Sequence, residues 1–117
     1  MEPEEIKKEI KKEVINDELV EKLDRIAFIL KTVAHPVRLQ IIELLDKTTN
    51  LSVNEISEAL NTEQSLTSHH LNNMKLKGIL SSKKEGRRVK YWLKEKSVVQ
   101  ILNCLDQCNC NPNGLPE

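Results

Sequence analysis

The stretch QSLTSHHLNNMKLKGILSSKKEGRRVKYW, residues 64–92, decides how this chain folds. Its first half has the composition of a helix with one polar face, and Gly78 suits the position just after a helix end. Its second half predicts two short strands joined at residues 84–87, because Gly86 supplies the positive φ that a tight hairpin turn needs. The stretch therefore predicts a helix followed at once by a β-hairpin.

Positive charge is concentrated in the same stretch. It holds seven Lys or Arg residues and one acid, Glu85, although the formal net charge of the whole chain is zero. The rest of the chain is therefore net acidic, by about six charges. A polar-faced helix beside a cationic hairpin is the combination that a reader of double-stranded DNA needs, so double-stranded DNA is the predicted partner.

Two helices are predicted before this stretch. The segment 34–47 places His35 and Pro36 at a helix start, where the missing N–H of proline costs nothing. Ser52 and Glu55 have the spacing of a capping box, which predicts the start of a short helix. In the second hairpin strand the side chains alternate between two faces. The residues expected to face the core are Val89, Tyr91 and Leu93, and those expected to face a partner are Arg88, Lys90 and Trp92.

Both ends of the chain are predicted to be helical. Hydrophobic residues recur at spacings of three to five over about residues 3–33, with a break near Asn16 and Asp17. Helical spacing returns over about residues 95–108. The order of four helices, a hairpin and a final helix is that of a winged helix-turn-helix, a mainly α fold with a small β-hairpin (α+β).

The length of 117 residues suits one domain. We expect that domain to span residues 1–110, with a DNA-binding core over about residues 35–93 and a flexible tail over residues 111–117. The hydrophobic core should be mostly aliphatic, because the chain has one Trp, one Tyr and one Phe. A small helical domain of this composition often completes its burial by forming a dimer.

Membrane and secreted classes are not expected. No apolar run approaches the roughly 18 residues of a membrane span, and the acidic, lysine-rich start does not resemble a signal peptide. The three cysteines fall within seven residues near the C-terminus, which is a poor disulfide framework and favours free thiols. We therefore expect a cytoplasmic protein with no membrane partner.

The helix at residues 64–77 is the predicted recognition helix, because its first turns carry short polar side chains that can bond to base edges or phosphates. The candidate base-reading residues are Gln64, Ser65, Thr67, Ser68 and His69. The residues expected nearer the packed side are Leu66, His70, Leu71 and Met74. An ordinary helix surface is the alternative for His69, and helical phase favours DNA contact for His69 and a structural role for His70.

The hairpin is the predicted wing. Its candidate phosphate contacts are Lys83, Lys84, Arg87, Arg88 and Lys90. A solvated charged hairpin is the alternative, but the shortage of balancing acids favours a phosphate partner.

Three segments resemble the ArsR/SmtB family of bacterial repressors: LKTVAHPVRLQIIELL at residues 30–45, LSVNEISEALNTEQSLTSHHLNNMKLKGIL at residues 51–80, and KEGRRVKYWL at residues 84–93. The resemblance implies a homodimer that packs through its first and last helices. It also implies binding to an imperfect palindromic operator and release from DNA when an inducer binds.

Two metal sites recur in the family that the chain resembles, and neither is expected here. The site in the third helix would need cysteines where this chain has Ser52 and Asn54. The site in the last helix would need Asp, His or Glu ligands. The residues found there instead are Ser97, Val98, Val99, Gln100 and Asn103, and Asp106 is the one residue of a type that could serve as a ligand.

Cys104, Cys108 and Cys110 are the remaining candidate ligands. Cys104 and Cys108 have i,i+4 spacing, and Cys110 follows where the helix should end. Three convergent thiolates would suit As(III) or Sb(III), or Cd(II), Pb(II) or Zn(II) with a fourth ligand. The thiols could instead form a reversible disulfide that responds to oxidants. In the third interpretation, Cys104 is a small buried hydrophobe at a dimer seam and the other two are tail residues.

A winged helix used only for protein interaction is the competing function. An enzyme is not expected, because the sequence has no nucleophile–base pair, no paired carboxylates and no glycine-rich phosphate loop. The predicted function is therefore that of a DNA-binding transcriptional regulator.

Overall fold

The computed structural model describes Lys7 and residues 13–110. The chain forms two compact units with the boundary after Ala34. That both units belong to one domain stays a prediction, and the predicted tail at residues 111–117 lies outside the described residues. In the described part of the chain, no helix has the length and apolar character needed to cross a membrane.

The first unit contains helix α1, Asp17–Val33. The side-chain oxygen of Asn16 accepts a hydrogen bond from the backbone N–H of Leu19 at 2.9 Å, which satisfies a donor in the first turn of the helix. This cap confirms the predicted break near Asn16 and Asp17. Of the predicted helix before the break, Lys7, Glu13 and Val14 are helical, and residues 1–6 and 8–12 lie outside the described residues.

The second unit begins with three helices and ends with a hairpin and a further helix. Its elements are α2 (Pro36–Lys47), β1 (Leu51–Ser52), α3 (Val53–Leu60), α4 (Gln64–Leu76), β2 (Leu80–Glu85), β3 (Arg88–Leu93) and α5 (Ser97–Asp106). The predicted winged helix-turn-helix, mainly α with a small sheet, is confirmed. Helix α5 is shorter than the predicted span of residues 95–108.

The predicted helix starts are confirmed in atomic detail. His35 precedes α2, its Nδ1 accepts from the backbone N–H of Val37 at 3.2 Å, and Pro36 is the first helical residue. Ser52 precedes α3, its hydroxyl accepts from the backbone N–H of Glu55, and the Glu55 carboxylate accepts from the backbone N–H of Ser52. Local sequence is sufficient to start both helices.

Helix α4 ends in a Schellman motif. Gly78 has φ +83°, and its N–H donates to the carbonyl of Lys75 while the N–H of Ile79 donates to the carbonyl of Met74. This confirms the predicted role of Gly78. Because β2 begins at Leu80, the motif directs the chain from α4 straight into the wing.

The sheet has three antiparallel strands in the order β1-β3-β2. Gly86, with φ +63°, turns β2 into β3, as predicted. Strand β1 was not predicted, since a two-residue strand is too short to show alternation. It pairs Leu51 with Tyr91 and Ser52 with Lys90, which attaches the start of α3 to the wing.

The core of the second unit is aliphatic, as expected. Its fully buried apolar residues are Ile41, Ile42, Ile56, Leu71, Met74, Ile79, Leu80 and Val98. On β3, Tyr91 and Leu93 are buried as predicted. Val89 was expected to face the core, but it is only half-buried because it lies nearer the hairpin turn.

Candidate nucleic-acid interface

Helix α4, the start of α3 and the wing enclose a groove of about 380 Å³. We call it the recognition groove. Its polar lining residues are Ser52, Asn54, Gln64, Ser68, Asn72, Arg87, Arg88 and Tyr91. The groove brings Gln64 and Ser68, predicted as base readers, beside Arg87 and Arg88, predicted as phosphate contacts. Side chains for base edges and for phosphates therefore converge on one surface.

One polar stripe of α4 faces the recognition groove. It consists of Gln64, Ser68 and Asn72, which are spaced by four residues and so share a helix face. Sequence reasoning missed Asn72 because it stopped after the first turns of the helix. The spacing of four from Ser68 was the signal that could have found it. Like Gln64, Asn72 carries an amide that can bond bidentately to adenine.

The remaining predicted base readers differ in exposure. Ser65 and His69 are exposed, as is Gln64, while Ser68 is half-buried. The predicted structural role of His70 agrees with its exposure of 4%. Contacts of Gln64, Ser65, Ser68 and His69 with DNA stay predictions.

Thr67 was predicted to read bases, and the structure contradicts this. Its side chain is fully buried, and its hydroxyl donates to the backbone carbonyl of Glu63 at 2.9 Å and lies 2.7 Å from the Thr62 hydroxyl. Thr67 lies four and seven residues before Leu71 and Met74, which places it on the packed face. Leu66 was expected on that face but is 43% exposed. The predictions for Thr67 and Leu66 are both wrong for one reason: the packed face of α4 is rotated relative to the face that was expected.

Lys90 was predicted to contact phosphate, but its ammonium lies 2.6 Å from the Glu55 carboxylate. This ion pair and the hydrogen bonds from Ser52 lower the pKa of Glu55 to about 2. Lys90 is half-buried, whereas Lys83, Lys84, Arg87 and Arg88 are exposed. We therefore assign Lys90 to the base of the wing, where it ties β3 to the start of α3. Phosphate contact stays a prediction for Lys90 and for the four exposed residues.

Arg38 fastens the recognition helix to α2, and sequence reasoning missed it. Its Nε donates to His70 Nδ1 at 2.9 Å and its Nη1 donates to Asn73 Oδ1 at 2.8 Å. The guanidinium fork therefore holds two successive turns of α4, and we call this contact the Arg38 clamp. The signal was present in the segment HPVRL, where Arg38 follows the helix start by two residues.

The imidazole of His70 is neutral in this contact, because its Nδ1 accepts a hydrogen bond from the Nε–H of Arg38 and so carries no proton of its own. Burial lowers the pKa of His70, and the neighbouring His35, Arg38 and His69 lower it further. The His35 ring lies 4.4 Å from the His70 ring, centroid to centroid. Protonation of His70 would remove the acceptor and place two cations side by side.

We expect this histidine to make stability depend on pH just below neutrality. Because the folded-state pKa of His70 is depressed, the stability that neutral His70 contributes is fully present above the unfolded pKa of roughly 6.5. This stability decreases as the pH falls from the unfolded pKa toward the folded pKa, because histidine in the unfolded chain binds the proton at a higher pH. Thermal unfolding between pH 7.5 and 5 should show a falling midpoint. In His70→Gln, which retains an acceptor but does not titrate, the slope should be smaller, and an equal slope would contradict the assignment.

The three cysteines do not converge as predicted. The thiols of Cys108 and Cys110 lie in contact, with 2.6 Å between the sulfur atoms, and all three cysteines are exposed. Hydrogen bonding between the two thiols lowers the pKa of Cys108 and raises the pKa of Cys110. Over Lys7 and residues 13–110, no group of three or more His, Cys, Asp or Glu side chains is arranged to hold a metal ion. A metal bound by all three cysteines stays a prediction.

Comparison with known proteins decides the family. Residues 35–82 match the family described as bacterial regulatory protein, arsR family. Over 88 residues the chain is 34% identical to an uncharacterized helix-turn-helix transcriptional regulator of Methanocaldococcus jannaschii, covering 75% of this chain and 99% of that protein. The chain belongs to the ArsR family.

Solved structures of ArsR-type regulators agree with this fold. The crystal structure of the transcriptional repressor PagR of Bacillus anthracis has a TM-score of 0.65 at 35% identity, over 74% of this chain and 98% of PagR. The homodimeric winged helix-turn-helix domain of a Mycobacterium bovis protein has a TM-score of 0.63 at 25% identity, over 83% of this chain and 96% of that domain. This ArsR-family chain is a DNA-binding transcriptional regulator, and the expectation of a regulator rather than an enzyme is confirmed.

Proposed function

We propose that this ArsR-family chain is a repressor that binds a palindromic operator in double-stranded DNA as a homodimer. The observation that carries the proposal is the recognition groove, where the polar stripe of α4 and two wing arginines face the same space. In this arrangement α4 enters the major groove and the wing follows the adjacent phosphates.

The two sides of the recognition groove have different tasks. Gln64, Ser68 and Asn72 supply amide and hydroxyl groups for base edges, and so supply sequence preference. Arg87 and Arg88 supply charge for phosphates, and so supply affinity that falls with added salt. The Lys90–Glu55 ion pair and strand β1 hold the wing against the start of α3, which keeps the two sides in register.

Homodimer formation is supported by exposed apolar side chains. Helix α1 exposes Val20, Leu23 and Phe28 by 43%, 48% and 50%, and α5 exposes Leu105 by 59%. Apolar patches of this kind mark interaction surfaces, and the related Mycobacterium bovis domain is a homodimer. A two-fold dimer would place two copies of α4 about 34 Å apart, one turn of the DNA helix.

Repression and release are proposed from the family and from the thiols. The related PagR is a transcriptional repressor. Cys104, Cys108 and Cys110 are exposed at and beyond the end of α5. They are the candidate inducer site, either for a thiophilic ion or for an oxidant, and a change there would act on α5 and so on the proposed dimer.

The operator can be found by selection from a random duplex library with the full-length chain. We expect an enriched inverted repeat with half-site centres about 10 base pairs apart, or a multiple of that spacing. The variant Arg87→Ala removes one positive charge from the recognition groove. Its matched control is Lys47→Ala, which removes one exposed positive charge outside the groove. The control should bind the selected operator as tightly as the wild-type chain does. Failure to enrich any duplex at low salt would contradict sequence-specific DNA binding. An enriched sequence that contains a single half-site would contradict the two-fold dimer.

A further inference from the structure

All three histidines of the chain lie together beside the recognition helix. His35 precedes α2, and its ring lies 4.4 Å from the ring of His70, centroid to centroid. His69 precedes His70 on α4, with 5.5 Å between the two ring centroids. His70 is buried, whereas His35 and His69 are exposed. The imidazoles are therefore gathered at the contact by which α2 holds α4.

The ring of His70 is hydrogen-bonded on one side. Its Nδ1 accepts from Arg38, whereas its Nε2 is buried and has no hydrogen-bond partner among the described residues. Because Nδ1 is an acceptor, Nε2 carries the proton of the neutral ring. A buried donor without a partner costs free energy and is uncommon in folded proteins. Stability alone therefore does not explain a histidine at this position, and such departures concentrate at functional sites.

A second proton on the His70 ring would break the Arg38 clamp. It would bind at Nδ1, the atom that accepts from Arg38 Nε at 2.9 Å. The charged and titratable groups around the ring are Arg38 and His35 at the start of α2 and His69 on α4. Arg38 is cationic, and each histidine becomes cationic when it binds a proton, so a charged His70 faces like charge from both helices. Arg38 and His70 would therefore separate.

Loss of the clamp would reorient α4 without unfolding it. The apolar side of α4 stays in the core through Leu71 and Met74, which are fully buried. The polar stripe on the same helix faces the recognition groove. Base contacts tolerate little displacement, so the stripe reads DNA only while α4 keeps its orientation. Protonation of His70 therefore acts on DNA binding before it acts on the fold.

We propose that the Arg38 clamp is an acid-sensitive release device, in which a proton on His70 lowers the affinity of this chain for its operator. The inference rests on the proposed operator binding, and it adds a route of release that does not involve the cysteines. By thermodynamic linkage the effect is reciprocal, so a bound operator disfavours the protonated ring.

The test measures operator affinity between pH 7.5 and 5 at constant ionic strength, by fluorescence anisotropy with the full-length chain. NMR of the imidazole signals in the free chain gives the pH at which His70 binds its proton. We expect affinity to fall from that pH downward, approaching about tenfold per pH unit for each protomer. The operator should shift the His70 titration to lower pH. Circular dichroism at each pH checks that the chain stays folded.

Three variants assign the effect to one ring. His70→Gln keeps a side-chain acceptor for Arg38 but does not titrate, so it should remove the acid loss. The controls His69→Gln and His35→Asn should each retain the acid loss, and asparagine at residue 35 still supplies a helix cap. A proton on the exposed His69 adds positive charge to α4. Any pH dependence left in His70→Gln should therefore have the opposite sign, with tighter binding in acid.

Each contrary result overturns the release device. Affinity that stays constant, or that falls only where circular dichroism shows unfolding, would contradict it. An equal acid loss in His70→Gln would assign the titration to another group, and an operator that leaves the His70 titration unchanged would contradict the linkage. These results leave operator binding at pH 7.5 untouched, whereas failure to bind any duplex at pH 7.5 would contradict the proposed function itself.

Discussion

Replacing Arg87 and Arg88 together by alanine is expected to weaken binding to each operator half-site by roughly a hundredfold. Both side chains are exposed at the wing tip and line the recognition groove. A hydrogen bond to a charged group contributes about 1.5 kcal/mol or more, and about 1.4 kcal/mol corresponds to a tenfold change in affinity. Two lost phosphate contacts in each protomer therefore account for about two powers of ten at each half-site.

The salt dependence makes this prediction specific. Each neutralised phosphate contributes about 0.9 to the slope of log affinity against log salt, so the double variant should lose nearly two from that slope for each protomer, or nearly four for the proposed dimer. Fluorescence anisotropy with a labelled operator at several salt concentrations measures both quantities. The control replaces Lys47 and Lys96, two exposed cations outside the recognition groove, by alanine. An unchanged slope in the arginine variant would show that the wing tip does not contact phosphates.

Replacing Arg38 by alanine is expected to reduce both stability and DNA affinity. The substitution removes the donors to His70 Nδ1 and Asn73 Oδ1. Leaving a buried polar group without its partner costs about 1–3 kcal/mol, and His70 is 4% exposed. We therefore expect the free energy of unfolding to fall by about 2 kcal/mol, measured by urea denaturation. Affinity should fall as well, because α4 loses the contact that orients it.

The salt slope separates the Arg38 clamp from a direct phosphate contact. Arg38 is half-buried and bonds within the protein, so Arg38→Ala should lower affinity without changing the slope. Arg38→Lys keeps the charge but lacks the guanidinium fork, and should show an intermediate loss of stability with the same slope. A slope that falls by about one per protomer in Arg38→Ala and is retained in Arg38→Lys, which keeps the charge, would mean that residue 38 contacts a phosphate itself.

Much of the candidate site could be predicted because its polar side chains lie close together in sequence. Gln64 and Ser68 were found from their place at the start of a polar helix, and Arg87 and Arg88 from a basic turn. Thr67 was the error within that set, since a helix rotates about 100° per residue and a small error in phase moves a side chain from surface to core. Burial of Thr67 beside Leu71 and Met74 is decided by what α4 packs against.

The end of α5 shows a different limit of prediction from sequence spacing. The i,i+4 spacing of Cys104 and Cys108 predicts a shared helix face only if the helix continues through both residues. In the structure the helix ends at Asp106, and a tighter turn follows. The contact between Cys108 and Cys110 depends on that local change of backbone geometry, which composition does not reveal.

The sequence by itself determined the helix starts at His35 and Ser52, the helix end at Gly78 and the hairpin turn at Gly86. Each depends on backbone conformation and on hydrogen bonds between residues that are neighbours in the chain. Only the tertiary structure decided the partners of Arg38 and Lys90. Arg38 bonds to residues 32 and 35 positions away, and Lys90 pairs with a residue 35 positions away. Such contacts depend on how packed elements meet, and no local pattern in the sequence specifies that.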